Sequence, residues 1–310
     1  MLTEKTVIGQ GGPYPLNGIL ALPEGEWAPV PAAVFVHGSG STNMDEKIFA
    51  NAPFRDMAEG LAARGIASVR YDKRTFVYGR KLVKDPGFSV KDETIDDALI
   101  AAELLKADPR IDAGRVYIIG HSMGGMLAPR IDEAGADFAG FVIMAGTPRT
   151  LVAVLFEQYE LIAATAKGLN GMAAKKIVKS LRAKLAGLYE MDDGTAKTFK
   201  VMGGARVYYF KEMGVNDTPS YLAKTAKPML IMQGGKDGQV SVERDFDVYR
   251  ELLDGRDNVV FRLYPELNHL FMPSVYSELK DLKKEYKIPS HVDEGVIDDI
   301  ASWIHTGALA

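Results

Sequence analysis

The 310-residue sequence contains no cysteine, and this absence excludes several kinds of chemistry. Disulfide bridges, thiolate metal sites and a cysteine nucleophile all need the missing thiol. Long apolar runs are also absent, since none approaches the ~18 residues of a membrane-spanning helix. No long basic run accompanies the net charge of −4. Neither a membrane nor a nucleic acid is therefore an expected partner.

The N-terminal residues lack the layout of a secretory signal. Met1–Thr6 has the sequence MLTEKT, without a charged segment followed by an apolar one. This pattern predicts a cytoplasmic enzyme, with a processed mature chain as the alternative. Histidines and carboxylates show no ligand-spaced pair on one helix, so we expect neither a metal nor another cofactor. The sequence leaves the oligomeric state open, a homodimer included.

Apolar residues alternate between the periods of buried strands and amphipathic helices. Continuous apolar runs at Ala32–Val36 and Phe138–Ala145 are typical of central strands in a parallel sheet. Helical spacing over Phe54–Arg64 and Asp92–Lys106 separates such runs. This order predicts an α/β fold with a mostly parallel sheet flanked by helices. Further strands are predicted at Gly18–Leu22, Ile66–Tyr71, Arg115–Ile119, Lys227–Gln233 and Asn258–Tyr264, and a last helix at Val292–His305.

Strand signals stop between about residues 148 and 219. Leu151–Leu169 and Ala173–Leu188 have helical apolar spacing, and strands resume at Lys227. A helical block of ~70 residues between two strands of one sheet indicates an insertion. We therefore expect residues 1–147 and 220–310 to form the core, with residues 148–219 inserted as a helical cap. The lysines of the second helix are expected on a solvated face.

One tight turn carries the strongest chemical signal. The segment Gly120-His-Ser-Met-Gly-Gly125 follows a predicted strand and precedes small apolar residues typical of a helix. Gly-x-Ser-x-Gly between a strand and a helix is the pattern of a nucleophile elbow, which presents a strained serine above the sheet. The string alone is weak in a chain with 31 glycines, but this context makes it specific. Ser122 is thus the predicted nucleophile, with a plain glycine-flanked turn as the alternative.

A serine nucleophile needs a histidine to take its proton. Chain order in an elbow enzyme places this histidine after both the serine and the acid. His269, His291 and His305 follow Ser122, but His291 and His305 lie before and within the last predicted helix. Only His269 occupies the loop just beyond a predicted strand. His269 is therefore the predicted base, with a surface-loop histidine as the alternative.

His269 follows one predicted strand. The acid is expected in the loop after the preceding predicted strand. Asp237 lies there, in a glycine-rich loop after Lys227–Gln233. Asp245 and Asp247 fall on the following helix, too late to reach the edge of the sheet. Asp237 is therefore the predicted acid, and capping of the helix that begins near Ser241 is its alternative role.

An oxyanion hole is the remaining component that this chemistry needs. One expected donor is the backbone N–H of Met123, directly after the nucleophile. The other is expected from the segment His37-Gly-Ser-Gly40, with the Ser39 N–H preferred and that of Gly40 second. His37 and His121 precede the acid in the chain, so both are expected to be structural.

These motifs resemble those of α/β-hydrolases, and more narrowly bacterial carboxylesterases of the dienelactone-hydrolase and prolyl-oligopeptidase-like branch. The resemblance spans most of the chain and implies Ser122, Asp237 and His269 as the catalytic triad. Dienelactone hydrolases use a cysteine nucleophile, so their own activity is not implied here. Many relatives have a glycine where this chain has Thr75. The matching segments are His37–Gly40, Tyr71–Arg74, Gly120–Gly125, Gln233–Val240 and Asn268–His269.

The resemblance implies a serine carboxylesterase acting on a small-molecule ester. Short-chain acyl esters and aryl esters are the expected substrates, and hydroxycinnamoyl (feruloyl-type) esters are a particular expectation by analogy with capped esterases. Tyr208, Tyr209 and Met213 are candidate walls of the substrate pocket, with plain packing as the alternative. The rival functions are a peptidase or acyltransferase with the same triad, and a non-catalytic binding module on this fold.

Overall fold

A single eight-stranded sheet lies at the centre of the structure, a computed structural model that describes residues 1–25, 29–165, 168–201 and 204–310. In chain order its strands are β1 (Leu2–Ile8), β2 (Leu16–Leu22), β3 (Val30–Val36), β4 (Ala67–Tyr71), β5 (Ile111–His121), β6 (Phe141–Met144), β7 (Met229–Gly234) and β8 (Val259–Tyr264). Their spatial order is β1-β2-β4-β3-β5-β6-β7-β8. β2 pairs antiparallel with β1 and β4, and the other neighbours are parallel. The predicted mostly parallel α/β sheet is confirmed.

Helices cover both faces of this sheet. They are α1 (Pro53–Ala63), α2 (Arg74–Leu82), α3 (Asp96–Ala107), α4 (Met123–Ile131), α5 (Leu151–Thr165), α6 (Gly168–Lys184), α7 (Asp193–Thr198), α8 (Val207–Val215), α9 (Thr218–Leu222), α10 (Asp247–Leu252), α11 (Leu282–Glu285) and α12 (Glu294–Thr306). Lys91–Ile95, Asp132–Ala136 and Val242–Phe246 form π-helical turns, and Leu279–Asp281 forms a 3₁₀ turn. Among the described helices, none has the length and apolarity needed to cross a bilayer.

The two faces of the sheet bury separate hydrophobic clusters. In β3, Val34 and Val36 point into the cluster shared with α3 and α4, whereas Phe35 points into the cluster shared with α1 and α12. Successive side chains of a strand point to opposite faces, so a fully apolar strand such as β3 serves both clusters at once. This explains why its sequence is a continuous apolar run.

Helices α5 to α9 lie between β6 and β7, in the region that the sequence predicts as a cap. They bury a small cluster of their own, and α8 also contributes Tyr209 and Met213 to the main core. The predicted helix 151–169 ends at Thr165, and residues 166 and 167 lie outside the described residues. The next helix begins at Gly168, whose φ of 60° interrupts helical geometry. The division into core and cap stays a prediction.

Candidate active site

The loops at the carboxyl ends of β3, β5, β7 and β8 form the candidate site. β3 pairs with β5 so that Val36 lies opposite Gly120, which brings the segment after β3 beside the turn after β5. β7 pairs with β8 so that Gly234 lies opposite Tyr264. Parallel strands place these four loops at one edge of the sheet, where ligands of α/β proteins bind.

Ser122 occupies a strained turn between β5 and α4. Its φ of 52° and ψ of −115° are unusual for a residue with a side chain. A Cβ on Gly120 would lie 2.4 Å from the Gly124 oxygen, and one on Gly124 would lie 2.1 Å from the Val36 oxygen. Both positions therefore need glycine for space, which explains the sequence pattern around Ser122. The geometry is that of a nucleophile elbow.

His269 and Asp237 form a buried pair. His269 Nδ1 lies 2.6 Å from Asp237 Oδ2, and the Asp237 side chain is fully buried. The other carboxylate oxygen accepts hydrogen bonds from the backbone N–H groups of Gln239 (2.7 Å) and Val240 (3.0 Å). Gln233 Nε2 donates to Oδ2 at 3.0 Å. These donors fix the carboxylate, which in turn orients the imidazole of His269.

A hydrogen bond from His121 connects the backbone of His269 to the serine turn. His121 Nε2 donates to the His269 carbonyl at 2.9 Å, and the centroids of the two rings are 4.7 Å apart. The structure therefore brings His269 and Asp237 against the turn that carries Ser122. Within the described chain the Ser122 hydroxyl makes no hydrogen bond to His269. Such contacts are often long in the absence of substrate and shorten during reaction.

A buried carboxylate that the sequence did not single out lies beneath this turn. Glu46 Oε2 is 2.8 Å from His121 Nδ1, and Glu46 Oε1 accepts a hydrogen bond from the Gly38 N–H at 2.7 Å. Burial opposes both charges, but their attraction lowers the pKa of Glu46 and raises that of His121. The two groups lie at ion-pair distance, and each favours the charged form of the other. No local sequence motif identifies Glu46, because its role depends on contacts with distant parts of the chain.

The segment His37–Gly40, here called the oxyanion loop, lies against Ser122. A Cβ on Gly38 would be 3.1 Å from the Ser122 Cβ, so this close approach favours glycine. Among the described residues, neither the Ser39 nor the Met123 backbone N–H finds an acceptor. Both residues line one cavity beside the turn. Two unpaired N–H groups beside a serine can bind a developing oxyanion.

His37 contacts a backbone carbonyl and two aromatic rings, and its structural role stays a prediction. Its Nε2 donates to the Asn43 carbonyl at 3.0 Å, and its ring packs against Phe54 and Tyr71. Burial lowers the pKa of His37 to about 4, so the ring is neutral at physiological pH. Within the described residues, no group of three or more potential ligands converges to hold a metal ion.

A second buried network supports the oxyanion loop from the opposite side. Lys73 Nζ donates to the Gly38 carbonyl at 2.7 Å and lies 3.1 Å from Glu93 Oε1. The same carboxylate accepts hydrogen bonds from the hydroxyls of Thr75 and Tyr209. The sequence analysis missed Lys73 and Glu93. Thr75, which departs from the family pattern, here holds Glu93.

A cavity of about 430 Å³ opens beside Ser39 and Met123. Of the three predicted wall residues, Tyr209 lines it, stacked on Phe88 with ring centroids 6.2 Å apart. Tyr208 and Met213 lie outside its described lining. Tyr208 packs within the cluster of the inserted helices, under the Lys197 ammonium, and Met213 is buried in the main core. The other lining side chains are mostly apolar, among them Leu82, Val83, Leu151, Leu155 and Phe210.

Comparison with known proteins agrees with this architecture. The chain is 37% identical to the esterase EstD of Thermotoga maritima over 93% of its own length, and it spans 65% of the length of that relative. The solved structure of Est1E from Butyrivibrio proteoclasticus is similar, with a TM-score of 0.56 at 17% identity, covering 91% of this chain and 96% of that one.

A further similar structure is that of 2,6-dihydroxy-pseudo-oxynicotine hydrolase. Its TM-score is 0.58 at 16% identity, and the alignment covers 99% of this chain and 70% of that one. The profile described as the alpha/beta hydrolase family matches residues 33–279, a range that contains the serine turn, Asp237 and His269. The strand order and the match over most of its length show that this chain belongs to the alpha/beta hydrolase family.

Proposed function

We propose that the protein is a serine carboxylesterase that hydrolyses small carboxylic esters through an acyl-enzyme on Ser122. The observation that carries this proposal is the buried His269–Asp237 pair packed against the strained serine turn. The name of EstD, an esterase, supports the same chemistry.

Each proposed step uses one of the described groups. His269 takes the proton of Ser122 as the hydroxyl attacks the ester carbonyl, and Asp237 stabilises the resulting imidazolium. The N–H groups of Ser39 and Met123 donate to the tetrahedral oxyanion. His269 then protonates the leaving alcohol. Water repeats these steps on the acyl-enzyme, which releases the carboxylic acid and restores the serine.

The cavity fits the acyl group better than the alcohol. It is lined by both proposed oxyanion donors, which would hold the acyl carbonyl oxygen, whereas neither Ser122 nor His269 is among its described lining residues. At about 430 Å³ it has room for a short alkyl or a single-ring aryl acyl group. A hydroxycinnamoyl group is one such acyl group, and a structure of Est1E carries ferulic acid. We therefore propose short-chain acyl, aryl or hydroxycinnamoyl esters as substrates.

Residues 148–219 are proposed as the cap over this cavity. α5 contributes Leu151 and Leu155 to the lining, and α8 contributes Tyr209 and Phe210. The proposed location of the enzyme is the cytoplasm, which cell fractionation would test.

The function is tested by labelling and by turnover. A fluorophosphonate probe should label Ser122, and p-nitrophenyl acetate should be hydrolysed. Ser122→Ala should abolish labelling and should lower kcat for hydrolysis by about 10⁶-fold, as expected on loss of a triad nucleophile. Ser302→Ala, on α12, is the matched control and should leave both unchanged. Full esterase activity in Ser122→Ala would refute the proposal.

The same assays separate the rival functions. A peptide amide substrate distinguishes a peptidase from an esterase, and an added acceptor alcohol reveals acyl transfer. Turnover of p-nitrophenyl acetate without cleavage of amides supports the carboxylesterase. An unlabelled, inactive but folded chain would instead indicate a binding module.

A further inference from the structure

Gly38 is held between two buried side chains of opposite charge. Its N–H donates to Glu46, and its carbonyl accepts from Lys73 Nζ at 2.7 Å. Lys73 is only 2% exposed, and its partner Glu93 is 7% exposed. A charge in such surroundings is retained only with a partner of opposite charge and further hydrogen bonds. Lys73 has both, in Glu93 and the Gly38 carbonyl.

The contact between Lys73 and Gly38 acts on one particular peptide group. The Gly38 carbonyl and the Ser39 N–H belong to the same planar unit, and in its trans form they point in opposite directions. Holding the carbonyl toward Lys73 therefore fixes the direction of the Ser39 N–H, the proposed oxyanion donor. The peptide cannot rotate without breaking a charge-assisted hydrogen bond in a buried site.

The same network reaches the wall of the cavity. Glu93 accepts hydrogen bonds from Thr75 at 3.1 Å and from the hydroxyl of Tyr209. Tyr209 belongs to α8, one of the helices between β6 and β7, and both Tyr209 and Glu93 line the cavity. The Tyr209 hydroxyl also lies 3.8 Å from the Met123 sulfur, next to the second oxyanion donor. The cavity wall and the oxyanion loop thus share one carboxylate.

We propose that Lys73 is a positioning residue for the Ser39 N–H, and that Tyr209 acts on Lys73 through Glu93. The three side chains link the wall of the acyl cavity to the oxyanion hole. This inference rests on the proposed esterase function. It makes Tyr209 a residue that affects turnover through its hydroxyl, in addition to the packing of its ring.

Removal of one hydroxyl is the first test. Tyr209→Phe keeps the ring in the cavity wall and deletes only the hydroxyl, which donates to Glu93 and lies 3.8 Å from the Met123 sulfur. We expect kcat for p-nitrophenyl butyrate to fall about three- to tenfold, because small displacements of a catalytic group cost this much or more. KM should stay within about twofold, since the cavity keeps its shape. Tyr221 lies on α9 outside the cavity lining, and its hydroxyl donates to Asn216. Tyr221→Phe is therefore the control and should change neither constant.

Removal of the buried charges is the second test. Lys73→Met alone would leave Glu93 without its cation, so the double variant Lys73→Met/Glu93→Gln keeps the site neutral. Its kcat should fall about 10- to 100-fold. Its affinity for a trifluoromethyl ketone, which forms an oxyanion with Ser122, should fall by the same factor. Affinity for the matching methyl ketone should stay unchanged, a difference that a loss of packing would not produce.

Coupling between the two ends distinguishes a chain of contacts from independent effects. Tyr209→Phe should have no further effect on kcat in the Lys73→Met/Glu93→Gln background. Two outcomes would overturn the inference while leaving the esterase function intact. One is that the effects of Tyr209→Phe and of the double variant on kcat multiply, as independent effects do. The other is that the double variant keeps the original ratio of the two ketone affinities. An unmodified chain that neither hydrolyses esters nor reacts with the fluorophosphonate would refute the proposed function, and this inference with it.

Discussion

Single residues set the shape of the serine turn, and the most constrained of them is Gly124. A Cβ there would overlap the Val36 oxygen of β3, which cannot move without disturbing the centre of the sheet. We expect Gly124→Ala to lower the free energy of unfolding by more than about 3 kcal/mol, as overpacking of a core does at its upper end. Urea denaturation followed by circular dichroism measures this change.

Gly79 provides the matched control for Gly124. It lies within α2, and a Cβ there would meet no atom within 4 Å. Gly79→Ala should raise the free energy of unfolding by up to about 1 kcal/mol, because alanine favours a helix more than glycine does. Equal effects of the two substitutions would contradict the steric explanation of the turn.

Local patterns of this kind are what a sequence reveals. The serine turn, Asp237 and His269 were predictable because each depends on a strand end and a short loop. Glu46, Lys73 and Glu93 were not, since each acquires its role only when the fold brings it to Gly38 or to a residue beside it.

At the scale of elements, the chain segment between β3 and α1 joins two parts of the site. Glu46 contacts the Gly38 N–H on one side and His121 on the other, and His121 holds the His269 carbonyl. One carboxylate therefore fixes both the oxyanion loop and the loop of the proposed base.

Neutralising Glu46 tests this connection. Glu46→Gln should lower the free energy of unfolding by about 1–3 kcal/mol, since the buried His121 loses the anion that favours its charged form and must become neutral. In the folded protein, the fall in kcat should also be larger than the rise in KM. Glu46→Gln/His121→Asn removes both charges and should recover part of the stability, as chemical denaturation would show. No recovery in the double variant would mean that the charge pair is not the cause.

Elements with a buried apolar pattern were predicted well, and largely exposed elements were missed. β3 and β7 follow their apolar runs within a few residues. β1 was not predicted, because it is an edge strand rich in polar residues that pairs only with β2 among the described strands. α2 was also missed, since apart from Arg74 and Leu82 its residues are not buried and its sequence lacks a clear apolar stripe. Contacts with the rest of the fold decide such elements, which a local pattern does not record.

The stability of the whole molecule should depend on pH through the buried side chain of His37. The pKa of His37 is lowered to about 4 in the folded protein, whereas an unfolded chain has a histidine pKa near 6.5. Between these values the unfolded state binds a proton that the folded state excludes, so stability falls as pH falls. The loss attributable to His37 is about 3 kcal/mol. The lowered pKa of Glu46 adds a loss of the same sign at still lower pH.

A pH series of unfolding curves measures this effect. Between pH 6.5 and pH 4, the free energy of unfolding should fall relative to that of the variant His37→Gln. The comparison with the variant is needed because the pKa of Asp97 is raised to about 6, and this changes the stability of both proteins in the opposite direction over that range. His37→Gln keeps an amide donor for the Asn43 carbonyl and cannot be protonated, so its curve should lack the loss that His37 causes over that range. Parallel curves for the two proteins would rule out His37 as the cause.

The link between Tyr209 and the oxyanion loop has a consequence for protein engineering. The proposed reacting groups come from strand ends, whereas much of the cavity wall comes from helices that lie between β6 and β7. These helices are therefore the segment to exchange for one that accepts another acid. A transplanted segment that fills the cavity but lacks a hydroxyl facing Glu93 would recognise its new ester and turn it over slowly. We therefore predict that an exchanged segment must keep a hydroxyl at the position of Tyr209 to retain full turnover.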